Sequence, residues 1–166
     1  MDAERRLFAR LEEMGIATKT VEHEPTHTVE ESEHLRQTLE GGRSKSLLLT
    51  DKDGRLILAT LLGTTRADLQ AIAEGAGARG RLSFAKPEVM REALGVEPGH
   101  LSPFALINDT ASRIGAVVVE NALLDHAPIW AHPLRNDAST AISPEELLRF
   151  LDLHAQRVIR LDLAVG

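Results

Sequence analysis

The sequence predicts an α/β fold of the α+β-like kind, with helices packed around a mixed β-sheet. Helical and strand-like apolar segments intermingle irregularly along the chain, and neither an internal repeat nor a linker divides it. Apolar residues make up 43% and charged residues 27% of the sequence, which is typical of a globular core. The length of 166 residues suits one domain that spans residues 1–166.

Five segments have the apolar spacing, capping residues or glycine stops that predict α-helices. Near the N-terminus, Leu7, Leu11 and Met14 recur at helical spacing before Gly15. In chain order, the predicted helices are the segment ending at Gly15, residues 28–39, 65–77 and 87–95, and the segment from Ser143 through Leu151.

Eight shorter apolar segments predict strands, and two pairs of them predict hairpins. An Asp-Gly turn joins residues 46–50 to 55–60, and a polar turn at 133–137 lies within the second pair. Residues 96–109, with two prolines, predict a loop. The predicted strands are residues 18–22, 46–50, 55–60, 80–84, 114–120, 129–132, 139–142 and 157–163.

Composition excludes several classes of protein. The chain has no cysteine, which excludes disulfides, thiolate metal sites and a cysteine nucleophile. A net charge of −6 argues against a DNA-binding regulator, and no apolar run is long enough for a membrane span. The N-terminus is a charged amphipathic segment without a cleavable apolar stretch, so we expect a soluble, cytoplasmic protein.

Three sequence patterns that suggest chemistry do not fit their context. His23 and His27 have metal-like spacing, but Pro25 breaks any helix between them, so we expect no metal site and no cofactor. The G-x-G-x-x-G at 75–80 follows a helix and precedes a strand, which is the reverse of the dinucleotide-binding order. No G-x-S-x-G occurs, so a serine triad is not favoured.

Polar and glycine-rich positions elsewhere remain candidates for a ligand site. Lys45 is predicted to open an apolar strand just after Gly41 and Gly42, where an ammonium can hold a phosphate or a polarised carbonyl. The alternative is a solvated strand end. His132 and Asn136 lie in a turn that can form the rim of a pocket, although an ordinary turn explains them equally well.

The order of these motifs is more specific than any one of them, and it closely resembles the YbaK/ProX family of prolyl-tRNA editing deacylases. The resemblance covers residues 2 to 163 and is greatest for the free-standing branch that clears alanine from proline tRNA, because of the H-P-x-x-N element. The motifs are VEHEPTHTVEE (21–31), SKSLLL (44–49), RGRLSFA (79–85), GVEPGHLSPFALIND (95–109) and HPLRNDAST (132–140).

The resemblance implies a strongly curved mixed sheet surrounded by helices, and it implies roles for particular residues. Lys45 and His132 match catalytic positions, whereas Ala105 departs from a glycine that the family often has. The expected tRNA-binding residues are Arg43, Arg79 and Arg81. The expected substrate-binding residues are Gly95, Gly99, Pro103 and Phe104 of the glycine–proline loop, Ile129 and Trp130 as apolar walls, and Asn136 at the rim.

The function that this resemblance implies is hydrolysis of mischarged alanyl-tRNA(Pro), with release of alanine. Water can attack the activated ester without a covalent nucleophile, and the family is thought to use the substrate's 2′-hydroxyl to assist. The expected partners are the acceptor end of tRNA(Pro) and, as a candidate, prolyl-tRNA synthetase. Alternatives are a deacylase for cysteinyl-tRNA(Pro) or another aminoacyl-tRNA, and a non-catalytic module that binds tRNA or a synthetase. The oligomeric state stays open.

Overall fold

The computed structural model describes residues 2–25 and 40–163. The predicted helix at 28–39 and His27 therefore lie outside the described residues. Within the described ranges, no helix combines the length and the apolarity that crossing a membrane requires.

Three of the α-helices in the described residues begin at a capping side chain. Asp2, Asp68 and Ser143 each accept a hydrogen bond from a first-turn N–H, and left-handed Gly77 and Gly95 end two helices. The helices are α1 (Ala3–Glu13), α2 (Leu69–Ala76), α3 (Pro87–Leu94), a 3₁₀ helix (Pro103–Asn108), α4 (Asn121–Leu124) and α5 (Pro144–His154).

The strands form a mixed sheet, as predicted. Its order is β1-β7-β6-β2-β3-β5-β8, with β4 paired to β2. The pairs β2–β6, β3–β5 and β5–β8 are parallel, and the other pairs are antiparallel. The strands are β1 (Lys19–Glu22), β2 (Gly42–Thr50), β3 (Leu56–Leu62), β4 (Ser83–Phe84), β5 (Ile114–Glu120), β6 (Ile129–Ala131), β7 (Ala138–Ile142) and β8 (Val158–Leu161).

The central strand β2 differs from the prediction at its start. It begins at Gly42, four residues before the predicted start, so Lys45 lies inside the strand and the prediction that it opens the strand is wrong. The glycine pair explains the difference. A Cβ on Gly42 would lie 2.6 Å from the His126 side chain, and one on Gly41 would collide with Pro128. The glycines thus let β2 approach the segment that leads into β6.

Two apolar cores lie on opposite faces of the sheet. Leu48 belongs to the core against α1, α3, α5 and the 3₁₀ helix, whereas Leu49 belongs to the core against α2. This split follows from the alternation of side chains along a strand. Helices therefore cover both faces, as the α/β prediction requires.

Two short elements were not predicted. The 3₁₀ helix lies inside the predicted loop at 96–109, where the Ser102 hydroxyl caps Phe104 N–H at 3.1 Å and Pro103 occupies the first turn. The helix α4 spans four residues, too few to show a helical period in the sequence. β4 is also shorter than predicted, with two residues instead of five.

Candidate active site

Lys45 and His132 both come just after the point where β2 and β6 stop pairing. The parallel strands β2 and β6 pair up to Arg43 and Trp130, and their pairing ends there. Lys45 and His132 each come two residues after this last pair, and side-chain alternation puts Lys45 on the same face of β2 as Arg43. We call the place where this pairing ends, next to Lys45 and His132, the β2–β6 cleft.

The Lys45 side chain is half-buried and anchored. Its Nζ donates a hydrogen bond to the backbone carbonyl of Thr65, in the segment between β3 and α2. An ammonium has three donors, so this bond leaves two that a ligand can accept. The anchoring strand is rigid at this point because β3 pairs with it through Leu61, the Cα partner of Lys45.

His132 has a lone pair available for chemistry. Its Nδ1 lies 2.9 Å from the Ala138 carbonyl oxygen, which can only accept, so Nδ1 carries the proton and Nε2 the lone pair. Burial lowers the pKa of His132; the Ala138 carbonyl opposes this shift, and the charges of Arg43, His23 and His100 add to it. The imidazole is therefore neutral at pH 7 and can accept a hydrogen bond.

A second histidine faces the first. The rings of His23 and His132 are 6.4 Å apart, centre to centre. His23 Nδ1 donates to the Glu24 carbonyl at 2.7 Å, and Nε2 lies 2.9 Å from Ser139 Oγ. The sequence suggested His23 only as a metal ligand. Among residues 2–25 and 40–163, no group of three or more histidines and carboxylates is arranged to hold a metal ion.

The glycine–proline loop meets the His132 turn at one point. Gly99 has a left-handed φ of 91°, and a Cβ there would lie 4.0 Å from Asn136 Nδ2. Two predicted binding residues from distant parts of the chain are thus neighbours. Gly95 instead ends α3, where a Cβ would lie 3.4 Å from the Asn108 amide.

Arg135, which the sequence did not single out, ties down the His132 turn. Its guanidinium contacts Asp137 at 2.8 Å, Glu4 of α1 at 3.1 Å and Glu22 of β1 at 3.3 Å. The hydrogen bond to Asp137 and the nearby carboxylates raise the pKa of Arg135 further above its usual value. The turn is therefore fixed to two neighbouring elements.

Three of the predicted substrate-binding side chains are buried in the apolar core. Phe104 and Ile129 are fully inaccessible, and Pro103 is buried beside them in the 3₁₀ helix. The Phe104 ring packs edge-on against Phe150 at 5.7 Å. Any contact that these residues make with a substrate would come from the backbone, so their binding role stays a prediction.

Trp130 forms part of the wall of an open groove of about 890 Å³. Its indole Nε1 donates to the Glu40 carbonyl at 2.6 Å, which leaves the ring only 6% exposed. Val21, Pro128 and Ala141 line the same groove. The groove is lined mainly around the start of β6, at Pro128, and the end of β7, at Ile142.

The three predicted tRNA-binding arginines are at opposite ends of β2. Arg43 is half-buried at the cleft, whereas Arg79 and Arg81 are exposed and precede β4, which pairs with the last residues of β2. Seven residues separate Arg43 from Thr50, or roughly 23 Å along a strand. Arg79 Nε also lies 3.8 Å from an Asp53 carboxylate oxygen, a pair that both partners expose to solvent.

Comparison with known proteins identifies the family. The model of the aminoacyl-tRNA editing domain matches residues 23–150. The chain is 36% identical to the prolyl-tRNA synthetase associated domain-containing protein 1 of Bos taurus, covering 87% of this chain and 86% of that protein. It is 31% identical to the prolyl-tRNA editing protein ProX of Acetoanaerobium sticklandii, covering 89% of each.

A solved structure supports the same assignment. It is described as a candidate trans-editing enzyme for prolyl tRNA synthetase, and it matches with a TM-score of 0.74 at 28% identity, over 100% of this chain and 99% of that one. The matched family model spans more than half of the chain and includes Lys45, His132 and Asn136. The chain therefore belongs to the aminoacyl-tRNA editing domain family, the YbaK/ProX family, and is a hydrolase of the aminoacyl-tRNA deacylase class.

Proposed function

We propose that this chain hydrolyses mischarged alanyl-tRNA(Pro) at the β2–β6 cleft. The observation that supports this proposal is that Lys45 and His132, whose pKa is lowered by burial, each come two residues after the last β2–β6 pair. A cation that stabilises the developing oxyanion and a hydrogen-bond acceptor that orients water both accelerate hydrolysis of an ester.

The reaction needs no covalent intermediate. Water attacks the carbonyl carbon of the aminoacyl ester, the bond from that carbon to the ribose oxygen breaks, and the ribose oxygen takes up a proton. The Lys45 ammonium stabilises the negative charge that develops on the carbonyl oxygen. His132 Nε2 accepts a hydrogen bond from the attacking water or from the neighbouring ribose hydroxyl, which orients it toward the carbon.

Alanine is the proposed substrate side chain because of the discrimination problem that it poses. A binding site shaped for proline rejects a smaller side chain by only about 1–3 kcal/mol for each missing methylene, so a second site that excludes the larger residue improves fidelity. The relative named as the prolyl-tRNA editing protein ProX supports a tRNA(Pro) substrate. The apolar groove beside Trp130 offers walls for a small side chain.

Prolyl-tRNA synthetase is the proposed partner. The support is the name of the Bos taurus relative, a prolyl-tRNA synthetase associated domain-containing protein, since the match with this chain covers 86% of the length of that relative. An editing enzyme that acts on tRNA released by that synthetase would gain from being held nearby.

A substrate panel tests the proposal. Four samples of tRNA(Pro), charged with alanine, cysteine, serine or proline, are incubated with the protein, and release of each amino acid is followed under single-turnover conditions. We expect alanine to be released fastest and proline to be retained. Faster release of cysteine would make the chain a cysteinyl-tRNA(Pro) deacylase. Binding of all four without release would indicate a tRNA-binding module and contradict the proposed activity.

A further inference from the structure

Glu120 is a buried carboxylate that the proposed reaction does not use. It is the last residue of β5, and its side chain is completely inaccessible to solvent. Burying a charge costs free energy unless hydrogen bonds compensate for lost hydration. Glu120 accepts two such bonds: Oε1 accepts from Leu62 N–H at 2.9 Å, and Oε2 accepts from Thr65 Oγ1 at 2.9 Å.

Both donors belong to the segment that holds Lys45. Leu62 ends β3, and Thr65 follows it before α2 begins. The Thr65 carbonyl accepts the hydrogen bond from Lys45 Nζ. One residue therefore contacts Glu120 through its hydroxyl and Lys45 through its backbone oxygen.

The sheet register explains how the two charged groups meet at Thr65. Lys45 is the Cα partner of Leu61 in β3, and one further step of the β3–β5 register places Leu61 beside Glu120. Cross-strand neighbours share a face, so Lys45 and Glu120 project on the same side of the sheet, two strands apart. Thr65 joins them through its two hydrogen bonds.

We propose that Glu120 is a positioning residue for Lys45, acting through Thr65. Its carboxylate fixes the segment from Leu62 to Thr65, and this segment fixes where the Lys45 ammonium rests. Because the bonds of Glu120 go to Leu62 and Thr65, the ammonium keeps its remaining donors for a substrate oxygen. This inference rests on the proposed role of Lys45 in deacylation.

The test compares variants that break the connection at different points. Thr65→Val removes the hydroxyl and keeps the shape, Thr65→Ser restores the hydroxyl, and Glu120→Gln removes the charge. Thr20→Val is the matched control, because it deletes the hydroxyl bond from Thr20 to Thr140 at 2.8 Å, between β1 and β7. Single-turnover hydrolysis of alanyl-tRNA(Pro) gives the rate and KM, and thermal melting shows that each variant is folded.

A positioning role predicts a specific pattern. Thr65→Val and Glu120→Gln each lower the rate about tenfold, the loss expected for one hydrogen bond, with KM within about twofold of wild type. Thr65→Ser recovers most of the rate, and Thr20→Val keeps it. The double variant Thr65→Val/Glu120→Gln is no slower than its slower single variant, since both act through one connection. A purely structural Glu120 would lower the melting temperature and leave the rate of the folded protein unchanged.

An NMR measurement separates this inference from the proposed function. The resonances of Lys45 Cε and Nζ report the position of the ammonium without any substrate. We expect them to shift in Thr65→Val and Glu120→Gln but not in Thr20→Val.

Unchanged resonances and unchanged rates in these variants, together with an inactive Lys45→Ala variant, would overturn only the positioning role of Glu120. Shifted resonances beside an active Lys45→Ala variant would uphold the positioning and overturn the catalytic role of Lys45. If Glu120→Gln does not fold, the Thr65 variants decide the question.

Discussion

Lys45 is the residue on which the proposed chemistry depends most directly. Its Cα lies inside β2 and its ammonium is held by Thr65, so removing the side chain should change the reaction more than the fold. We expect Lys45→Ala to remain folded and to hydrolyse alanyl-tRNA(Pro) more slowly by about a hundredfold or more, as for loss of one oxyanion donor. Single-turnover rates and melting curves test this.

The variant Lys45→Arg tests whether a positive charge alone restores the rate of hydrolysis. A guanidinium is planar and wider than an ammonium, so it should restore little of the rate even though it restores the charge. A folded Lys45→Ala protein with nearly wild-type hydrolysis would make Lys45 an ordinary strand residue and remove its catalytic role.

The lowered pKa of His132 leads to a prediction for the pH dependence of hydrolysis. Burial, opposed by the Ala138 carbonyl and helped by Arg43, His23 and His100, holds the pKa of His132 below the usual value of about 6.5. Protonation removes the lone pair on Nε2, so the rate should fall with decreasing pH only below about pH 6.5. Rate–pH profiles of the wild-type protein measure the position of this acid limb.

Arg43→Met provides a directional check on that assignment. Removing the nearby positive charge raises the pKa of His132, so the acid limb should move to higher pH, whatever happens to the absolute rate. The exposed Arg5 on α1 offers the matched control Arg5→Met, which should leave the limb in place. An unchanged limb in Arg43→Met, or one retained in His132→Ala, would show that another group titrates.

Sequence reasoning could name Lys45 and His132 because each lies within a recognisable local motif. It missed the bond between His23 and Ser139 and the two bonds of Glu120, since these join residues 116, 58 and 55 positions apart. Contacts of this kind depend on strand register, and register is not readable from one sequence without knowledge of which strands pair.

At the scale of elements, a single buried carboxylate in the β2–β3 turn accepts three backbone hydrogen bonds. The Asp51 side chain is 1% exposed and accepts from the backbone N–H groups of Asp53 and Arg55 at 2.9 Å and of Arg79 at 3.2 Å. Burial would raise the pKa of Asp51, but these donors and the Arg55 guanidinium together lower it. The Asp51 carboxylate therefore holds the turn in place and connects it to the segment that carries Arg79.

Asp51→Asn should destabilise the protein without altering the chemistry. An amide presents a donor to the N–H groups that the carboxylate accepts, so we expect a loss of about 1–3 kcal/mol in the free energy of unfolding at pH 7. Because the folded-state pKa is lowered, this stabilisation is present above the unfolded value of about 3.9 and is lost as the pH falls through the folded value. The difference in the free energy of unfolding between Asp51→Asn and the wild-type protein should therefore become smaller as the pH falls.

Urea unfolding at a series of pH values measures this difference. Asp53→Asn is the control, because the Asp53 side chain is 49% exposed and its pair with Arg79 is screened by solvent. Equal losses for the two variants, or a loss for Asp51→Asn that persists below the folded pKa, would contradict the account of the turn.

The elements also show where sequence prediction stops. The Asp-Gly signal correctly predicted the β2–β3 hairpin, because turn chemistry is local. The strand β2 begins at Gly42, before the predicted start at residue 46, and the sequence did not predict this because a glycine pair gives no local signal for a strand. The conformation of Gly41 and Gly42 serves instead the close approach to Pro128 and His126, which are distant in sequence.

For the whole molecule, the irregular intermingling of helices and strands was enough to predict the mixed sheet. The order of the strands could not be predicted from the sequence. Neighbouring strands in the sheet are far apart in the chain: the first residues of β1, β7, β6 and β2 span positions 19 to 138. The proposed active site depends on that order, because the parallel contact between β2 and β6 ends two residues before Lys45 and two residues before His132.

The distribution of charge is the remaining property at this scale. A chain with a net charge of −6 must still attract tRNA, so binding has to rely on local basic positions. Arg79 and Arg81 are exposed beside the end of β2, roughly 23 Å along that strand from Arg43, a distance that suits contact with the acceptor stem while the 3′ end occupies the cleft.

Replacing Arg79 and Arg81 by alanine should therefore weaken tRNA binding and flatten its dependence on salt. Each phosphate contact contributes about 0.7 to 0.9 to the slope of log K against log salt, so loss of two contacts should reduce the slope by about 1.5. Replacing Arg10 and Arg113, on α1 and before β5, gives a control of equal net charge. Filter binding of tRNA(Pro) at several salt concentrations measures both slopes. If both double variants reduce the slope of log K against log salt equally, net charge and not a local contact governs binding. If neither variant reduces the slope, Arg79 and Arg81 are solvated and do not contact tRNA.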